Sequence, residues 1–318
     1  MAYLEKKHIN GQNYVYFVKK VSFMKKLFVI KKHIGIDSTT ISKEKYLLDN
    51  IDELSTYEFN FRKPFLKELE KNLSYNKSLL EKIDNKTIKI DNYIEGKKCQ
   101  KLVDIEFSKE FIFNSNNIEG SKIPSDRVRE IVDTGDTKYK NRNEVIEVQN
   151  SIIAFDYLKN SFNFNITSVK RLYHILTNGL FIDGNTLYPK GFKKEPNIVG
   201  DSQTTPPEKV VEELNNLMNW YKQNKNKIHP LVLAFEFHKK YEFIHPFLDG
   251  NGRTGRMIMN KILISNGYSP IIIYKDNKSA YFNVLAKSRF GRAKSYYQFM
   301  LEQTNKSYDY LLEVINKY

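Results

Sequence analysis

Alternating hydrophobic and polar positions mark the start of the chain, before a different spacing takes over. β-prone runs at residues 3–9 and 13–22 flank Asn10-Gly11, a pair that accepts the positive φ angles of a tight hairpin turn. A third β-prone run covers residues 27–34. We therefore predict a small antiparallel β unit over residues 1–36.

From about residue 42 onward, apolar residues recur at the spacing of one helix face. They include Leu47, Leu48, Ile51 and Leu54, then Val145, Val148, Ile152 and Phe155, and later Val210, Leu214, Leu217 and Trp220. Residues 183–205 contain few helix formers and several Gly and Pro, which predicts a loop with a short hairpin. The chain is predicted to be mainly α, with a helical N-terminal region at 37–104 and a main helical domain at 105–318.

The composition is that of a globular protein of the cytoplasm. Apolar residues make up 41% of the 318 positions, and no stretch approaches the roughly 18 uninterrupted apolar residues of a membrane span. The N-terminus lacks the apolar run of a signal peptide. Cys99 is the single cysteine, so no internal disulfide can form, and a reducing cytoplasm is the predicted compartment.

The net charge of +14 is concentrated at the N-terminus. Residues 1–35 hold eight lysines and one acidic residue, so they carry +7, half of the total. This favours a solvated sheet face or a docking surface, and binding of nucleic acid stays the alternative for residues 1–35.

The most informative segment is HPFLDGNGRTGR, residues 245–256. A helix is predicted to run up to it, and Pro246 stops that helix because it disfavours α geometry at the preceding residue. Gly250 and Gly252 permit a tight turn whose backbone amides point inward. A second helix is predicted to start near Arg253, and its first amides are unpaired. Together these features predict an anion-binding cradle.

The side chains around this cradle predict phosphate chemistry. Arg253 and Arg256 are planar cations within one helical turn, which suits phosphate oxygens. Asp249 is placed to hold Mg²⁺, an ion that commonly binds through one carboxylate plus phosphates and waters. His245 lies at the other end of the turn and can remove a proton from an attacking hydroxyl.

Two other interpretations of the segment are weaker. Residues 250–255 also spell the dinucleotide fingerprint G-x-G-x-x-G, with Asp276 about 20 residues farther on. That fingerprint needs a preceding buried strand, whereas residues 235–243 are charged and helical in period. A structural turn with solvated arginines would explain a lone GNG. It does not explain one His, one Asp, three Gly and two Arg in twelve residues.

Residues 245–256 match the signature HxFx[D/E]GNGRxxR of the Fic (Fido) family at every defined position. The chain resembles that family over about residues 105–305. The resemblance implies a helical bundle with a β-hairpin flap. It also implies transfer of AMP from ATP to a Tyr, Ser or Thr hydroxyl of a target protein, whose identity the sequence does not give. Family members often form homodimers, although no such surface is evident in the sequence.

The resemblance also implies roles for individual residues. His245 is the general base, Phe247 anchors the loop, and Asp249 holds Mg²⁺ through the phosphates. The residues implied to bind nucleotide and phosphate are Gly250, Asn251, Gly252, Arg253, Gly255, Arg256, Tyr281 and Phe282. Ordinary helix packing is the alternative for Tyr281 and Phe282. Residues 288–292, SRFGR, replace an expected polar or acidic stretch, so the preference for adenine as the nucleotide base stays open.

Upstream, Ser115 to Gly120 reads SNNIEG and fits the family's inhibitory pattern [S/T]-x-x-x-E-[G/N]. In that role Glu119 pairs with Arg256, the cation that should hold the γ-phosphate. Gly120 is compatible with a helix end. The alternative is a surface glutamate at the C-terminus of a helix.

Residues 191–200, GFKKEPNIVG, resemble the target-binding flap of the family. Asn197, Ile198 and Val199 would be the stretch that pairs with the backbone of the incoming chain, a mode that tolerates varied sequences. A plain loop is the alternative.

Two further functions stay open at this point. Glu119 could align a water molecule, so that the chain removes AMP from a modified protein. Alternatively, the chain could be a nucleotide-regulated module that binds nucleic acid or a protein through residues 1–35.

Overall fold

The computed structural model describes residues 2–36, 41–72, 77–199 and 202–318. The chain divides into two compact units. One comprises residues 1–104 and 304–318, and the other comprises residues 105–303. Within the described ranges, no helix is both long enough and apolar enough to cross a membrane.

The first unit contains the predicted antiparallel sheet, in the order β1-β2-β3. Its strands are β1 (Ala2–Ile9), β2 (Gln12–Phe23) and β3 (Lys26–Ile36). Asn10 and Gly11 join β1 to β2 with φ angles of 50° and 79°, which confirms the predicted tight turn. One core cluster of this unit contains Phe17 together with Leu47 and Leu54 from the following helices.

Ion pairs tie the sheet to the helices of the first unit. These helices are α1 (Lys43–Asp49), α2 (Ile51–Asn72) and α3 (Lys77–Lys97). Lys19 is buried on β2, and its Nζ lies 2.7 Å from Glu58 Oε2 on α2. Lys32 Nζ lies 2.7 Å from Glu53 Oε1. Two of the N-terminal lysines therefore serve internal contacts.

Helices also dominate the second unit, which confirms the mainly α prediction. Helices α4 (Gln100–Glu119) and α12 (Lys294–Asn316) each include residues of both units. The others are α5 (Ser125–Thr134), α6 (Arg142–Asn160), α7 (Ile166–Thr177), α8 (Val210–Asn224), α9 (Pro230–Ile244), α10 (Asn251–Ser265) and α11 (Lys278–Arg289). A two-residue hairpin of β4 (Ile198–Val199) and β5 (Ser202–Gln203) lies where a short hairpin is predicted.

Helices α9 and α10 flank the glycine-rich turn. α9 ends at Ile244, as predicted, because Pro246 cannot continue a helix. α10 begins at Asn251, two residues before the predicted start. Gly250 caps it with a left-handed φ of 77°, a conformation that glycine adopts without steric cost.

Gly255 lies where α10 meets α9. A β-carbon there would come within 2.9 Å of the Tyr241 ring and 2.6 Å of Glu242 Oε1. Sequence reasoning assigned this glycine to phosphate binding, whereas its surroundings show that helix packing requires it. Glycine patterns alone do not separate these two causes.

We expect Gly255→Ala to lower the free energy of unfolding by about 1–3 kcal/mol, because the added methyl group overpacks a rigid contact. Urea denaturation followed by circular dichroism measures the change. Gly191→Ala is the control, since a β-carbon there meets no atom within 4 Å. Equal stability of the two variants would contradict the packing role.

Candidate active site

The motif loop, residues 245–250, begins with a sharp change of direction. His245 has a left-handed φ of 49°, an uncommon conformation for a residue other than glycine. Pro246 disfavours helical geometry at His245, and the His245 N–H still donates to Tyr241 O at 2.9 Å. The imidazole is therefore held at the C-terminal end of α9.

Two buried side chains fix the middle of the loop. Phe247 is fully buried, and its ring stacks on Tyr173 with a centroid distance of 3.7 Å. The Asn251 amide donates to Phe247 O at 2.8 Å, and its Oδ1 accepts the Phe247 N–H at 2.9 Å. The Asn251 side chain thus holds the loop, and a phosphate contact is expected from its backbone N–H instead.

Backbone N–H groups at the start of α10 form the predicted cradle. The first helical hydrogen bond runs from the Thr254 N–H to Gly250 O at 3.2 Å. The amides of Asn251, Gly252 and Arg253 precede that bond and have no acceptor within the helix. Together with the helix dipole, they favour a bound anion.

Two residues that the sequence did not indicate hold Asp249 and Arg253: Tyr188 contacts both side chains, and Glu147 contacts Arg253. Tyr188 OH donates to Asp249 Oδ2 and lies 3.4 Å from Arg253 Nη2. Arg253 Nη1 donates to Glu147 Oε1 at 2.8 Å. Burial raises the pKa of Glu147, although Arg253 opposes this effect. The arrangement holds both motif side chains in place before any ligand binds.

Asp249 directly precedes Gly250, the residue that caps α10, so its carboxylate is the closest one to the cradle in sequence. Its Oδ1 accepts the Gly250 N–H at 2.6 Å. Among the described residues, no group of three or more His, Cys, Asp or Glu side chains could hold a metal by itself. One carboxylate beside a phosphate site nevertheless suits Mg²⁺, which takes phosphate and water oxygens for the rest of its coordination.

Glu119 and Arg256 form the ion pair that the sequence pattern predicts, and Ser115 contacts the same guanidinium. Arg256 is 1% exposed, and its Nη2 donates to Glu119 Oε1 at 2.7 Å. The same guanidinium donates to Ser115 Oγ at 3.0 Å and to Ser115 O at 2.9 Å. α4 ends at Glu119, followed by Gly120 with a φ of 116°. The carboxylate that bonds to Arg256 therefore belongs to the last residue of α4.

The Glu119 carboxylate also reaches the cradle. A β-carbon built on Gly252 would overlap Glu119 Oε1 and would lie 2.8 Å from Arg256 Nη1. The absence of a side chain at Gly252 therefore makes room for this carboxylate over the first turn of α10.

A cavity of about 460 Å³ brings half of the predicted site residues together, and Asp249, Asn251 and Arg253 are not in its lining. Its lining combines residues of the motif with Glu119, strand β4, the end of α9 and α11. These residues are Glu119, Ile198, Val199, Glu242, Phe243, His245, Gly252, Arg256, Tyr281, Phe282, Leu285, Ala286 and Arg289. Of the flap stretch, Asn197 is not in the lining.

Tyr281 and Phe282 contribute to this cavity in different ways. Tyr281 is 1% exposed, and its hydroxyl is 2.6 Å from His238 Nε2. Phe282 is 39% exposed. Packing thus accounts for the position of Tyr281, whereas Phe282 offers an open ring face.

Burial, assisted by two neighbouring cations, keeps His245 unprotonated. Burial lowers the pKa of His245 to about 4, and Lys193 and Arg289 add to the effect. Glu242 Oε2 lies 3.8 Å from His245 Nδ1, and burial raises the pKa of Glu242 to about 7. At neutral pH the imidazole is therefore free to accept a proton.

The flap segment forms the short hairpin described above, and Gly200 lies outside the described residues. Ile198 is 67% exposed. Asn197 is held instead, since its Nδ2 donates to Phe247 O at 3.1 Å and its carbonyl accepts from Thr204 Oγ1 at 2.9 Å. Of the three residues predicted to pair with a target, Ile198 is therefore exposed and Val199 is half-buried.

Residues 163–263 match the Fic/DOC family. Two proteins named protein adenylyltransferase Fic are similar to the chain. The one from Nematostella vectensis is 26% identical over 238 residues, which cover 73% of this chain and 55% of the relative. The one from Drosophila mojavensis is 26% identical over 240 residues, covering 73% and 47%. The chain thus spans about half the length of the curated relatives it matches.

Solved structures are similar as well. A Fic domain containing signaling protein from Bacteroides thetaiotaomicron has a TM-score of 0.64 at 19% identity and covers 73% of this chain and 97% of its own. A Fic family protein from Desulfovibrio desulfuricans has a TM-score of 0.63 at 22% identity, covering 74% and 73%. At this identity the likeness shows the fold.

Proposed function

We propose that this chain, whose residues 163–263 match the Fic/DOC family, transfers AMP from ATP to a Tyr, Ser or Thr hydroxyl of a target protein and is restrained by Glu119. One observation carries the proposal, namely that a single cavity joins His245, Gly252 and Arg256. Nucleotidyl transfer needs a base, an anion cradle and a fixed cation at one place. The similar proteins named adenylyltransferases support the same activity.

In the proposed reaction, the target oxygen bonds to the α-phosphorus of ATP. The bond from that phosphorus to the bridging oxygen breaks, and pyrophosphate leaves with the electron pair. His245 takes the hydroxyl proton as the new bond forms. The α10 amides and Arg256 stabilise the negative charge that develops on the phosphate oxygens, because they are in place beforehand.

Asp249 would hold Mg²⁺ beside the phosphates. Its hydrogen bond from Tyr188 orients the carboxylate, which lies next to the cradle. When bound, the ion would neutralise phosphate charge as a Lewis acid. This side chain is the expected protein ligand, and the remaining ligands would be phosphate and water oxygens.

Glu119 would restrain the reaction by occupying the place of a phosphate. Its carboxylate is bonded to Arg256 and lies over Gly252. A γ-phosphate directed to the same guanidinium would meet a like charge, so ATP would bind in an unproductive pose. Breaking the ion pair strands a buried charge, which keeps the restraint in place.

The target would pair with the flap, and the nucleoside would pack against α11. Ile198 and Val199 line the cavity, and Ile198 is exposed while Val199 is half-buried. Backbone pairing there would present a target hydroxyl to His245 with little dependence on sequence. Phe282 and Leu285 offer apolar surface in the same cavity.

Differential labelling tests the proposed chemistry. The Glu119→Gly variant is incubated with host lysate, Mg²⁺ and ATP labelled at either the α- or the γ-phosphate. We expect protein label from α-labelled ATP alone, with release of pyrophosphate. Label from the γ-position would indicate phosphate transfer instead. No protein label from either nucleotide would contradict the proposed activity.

The pH dependence should reflect the lowered pKa of His245. A free imidazole becomes inactive as a base near pH 6.5, whereas this one stays unprotonated until the pH falls towards about 4. In Glu119→Gly, we expect the rate at limiting ATP to stay level from about pH 8 to 6, since kcat/KM reports the free enzyme. Initial rates with α-labelled ATP measure this profile, and half-loss of activity near pH 6.5 would contradict it.

A further inference from the structure

The last turn of α9, directly before His245, has carbonyl groups without helical partners. Pro246 has no N–H, and the Phe247 N–H is bonded to the Asn251 side chain. The carbonyls of Glu242, Phe243 and Ile244 therefore need hydrogen-bond donors from elsewhere.

Groups from outside the helix satisfy all three carbonyls. Arg289 Nη2 donates to Glu242 O at 2.8 Å. The backbone N–H of Thr205, just after the flap hairpin, donates to Phe243 O at 3.4 Å. The Lys193 Nζ donates to Ile244 O at 3.3 Å. The end of α9 is thus capped by Arg289 and by Lys193 and Thr205, which lie on either side of the β4–β5 hairpin.

Lys193 makes the most connections in this arrangement. It is 4% exposed, and its Nζ also donates to Asn197 Oδ1 at 2.7 Å and to Thr204 Oγ1 at 2.6 Å. Its backbone N–H donates to Pro246 O at 3.0 Å. One residue therefore bonds to both sides of the hairpin and to the residues on either side of His245.

We propose that Lys193 is a positioning residue, which fixes the flap strand Ile198–Val199 in register with His245. Its ammonium bonds to the side chains of Asn197 and Thr204, which lie on either side of the hairpin, and to the carbonyl of Ile244, the residue before His245. A target paired with the flap then has its hydroxyl placed relative to the base by this connection. The inference rests on the proposed function and adds a requirement to it: transfer to a protein depends on Lys193, and transfer to water does not.

The test compares two acceptors in the Glu119→Gly background. Transfer of AMP to protein is measured with α-labelled ATP and the His245→Ala protein as acceptor, and transfer to water is measured as free AMP. We expect Lys193→Met to lower protein transfer at least about tenfold, because displacement of a reacting group by about 1 Å is this costly. Transfer to water should stay within about twofold, since water needs no flap.

The control and the second variant keep the test decisive. Lys190→Met removes an exposed lysine outside the flap and should leave both rates unchanged. If Lys193→Met lowers the melting temperature, Thr204→Val replaces it, because that change loosens only the flap side of the contact. Protein transfer should then fall about threefold or more, with water transfer retained.

The outcomes separate the two proposals. Equal loss of both rates in folded Thr204→Val, or no loss of protein transfer in folded Lys193→Met, overturns the positioning role while leaving the proposed function intact. No AMP transfer to either acceptor in Glu119→Gly itself contradicts the proposed function, and the positioning role falls with it.

Discussion

Replacing Glu119 with glycine should raise transfer of AMP from ATP by about 10- to 100-fold, which corresponds to about 1.4–2.8 kcal/mol. The carboxylate bonds to Arg256 at 2.7 Å and lies over Gly252, where a phosphate is expected. A site that is competent in only a fraction of molecules binds its ligand more weakly by that fraction. Removing the carboxylate should make the site competent to bind ATP in all molecules. The rate is measured with α-labelled ATP against the unsubstituted protein.

The charge of Glu119, as distinct from its size, is tested with Glu119→Gln. That variant keeps the side chain but loses the ion pair, so we expect a smaller rise in rate than with glycine. Arg256 remains bonded to Ser115 in both variants, which should limit the loss of stability. A Glu119→Gly protein no faster than the unsubstituted chain would remove the case for restraint.

His245→Ala in the Glu119→Gly background should lower the rate by about 10²–10⁴-fold, the usual contribution of a general base. The imidazole lies at the end of α9 and lines the same cavity as Arg256. No other described histidine lines that cavity, so none is placed to take over. The affinity for ATP should change little, because phosphate contacts come from α10.

Two measurements make this second prediction specific. Calorimetric titration with ATP checks that binding is retained in His245→Ala, so that a lower rate reflects the missing base. His8→Ala, at an exposed position on β1, controls for loss of a histidine in general. A rate within threefold of the Glu119→Gly background would argue against His245 as the base.

Local sequence signals predicted the elements that position the site. The Asn10-Gly11 turn and the C-terminal end of α9 followed from backbone preferences that act over a few residues. The start of α10 was placed two residues late, because Gly250 already provides the left-handed cap. The twelve-residue motif gave the site itself, since its chemistry lies in consecutive positions.

Partners distant in sequence could not be predicted. Tyr188 is 61 positions from Asp249, and Glu147 is 106 positions from Arg253. Nothing in their local patterns indicates these contacts, which depend on how the helices pack. Lys193 gave no signal either, because a lysine in a polar loop is ordinarily exposed. Its burial accompanies its hydrogen bonds to Ile244 O at the end of α9 and to the Asn197 and Thr204 side chains, none of which is evident from the local sequence.

The lack of a side chain at Gly252 limits which substitutions could make the protein constitutively active. Under the proposed function, one space serves the regulatory carboxylate in the resting state and the nucleotide in the working state. A methyl group added there would exclude both the carboxylate and the nucleotide, so a substitution at Gly252 is not expected to give a constitutively active form. Such a form has to arise at the end of α4, where a change removes the occupant without filling the space.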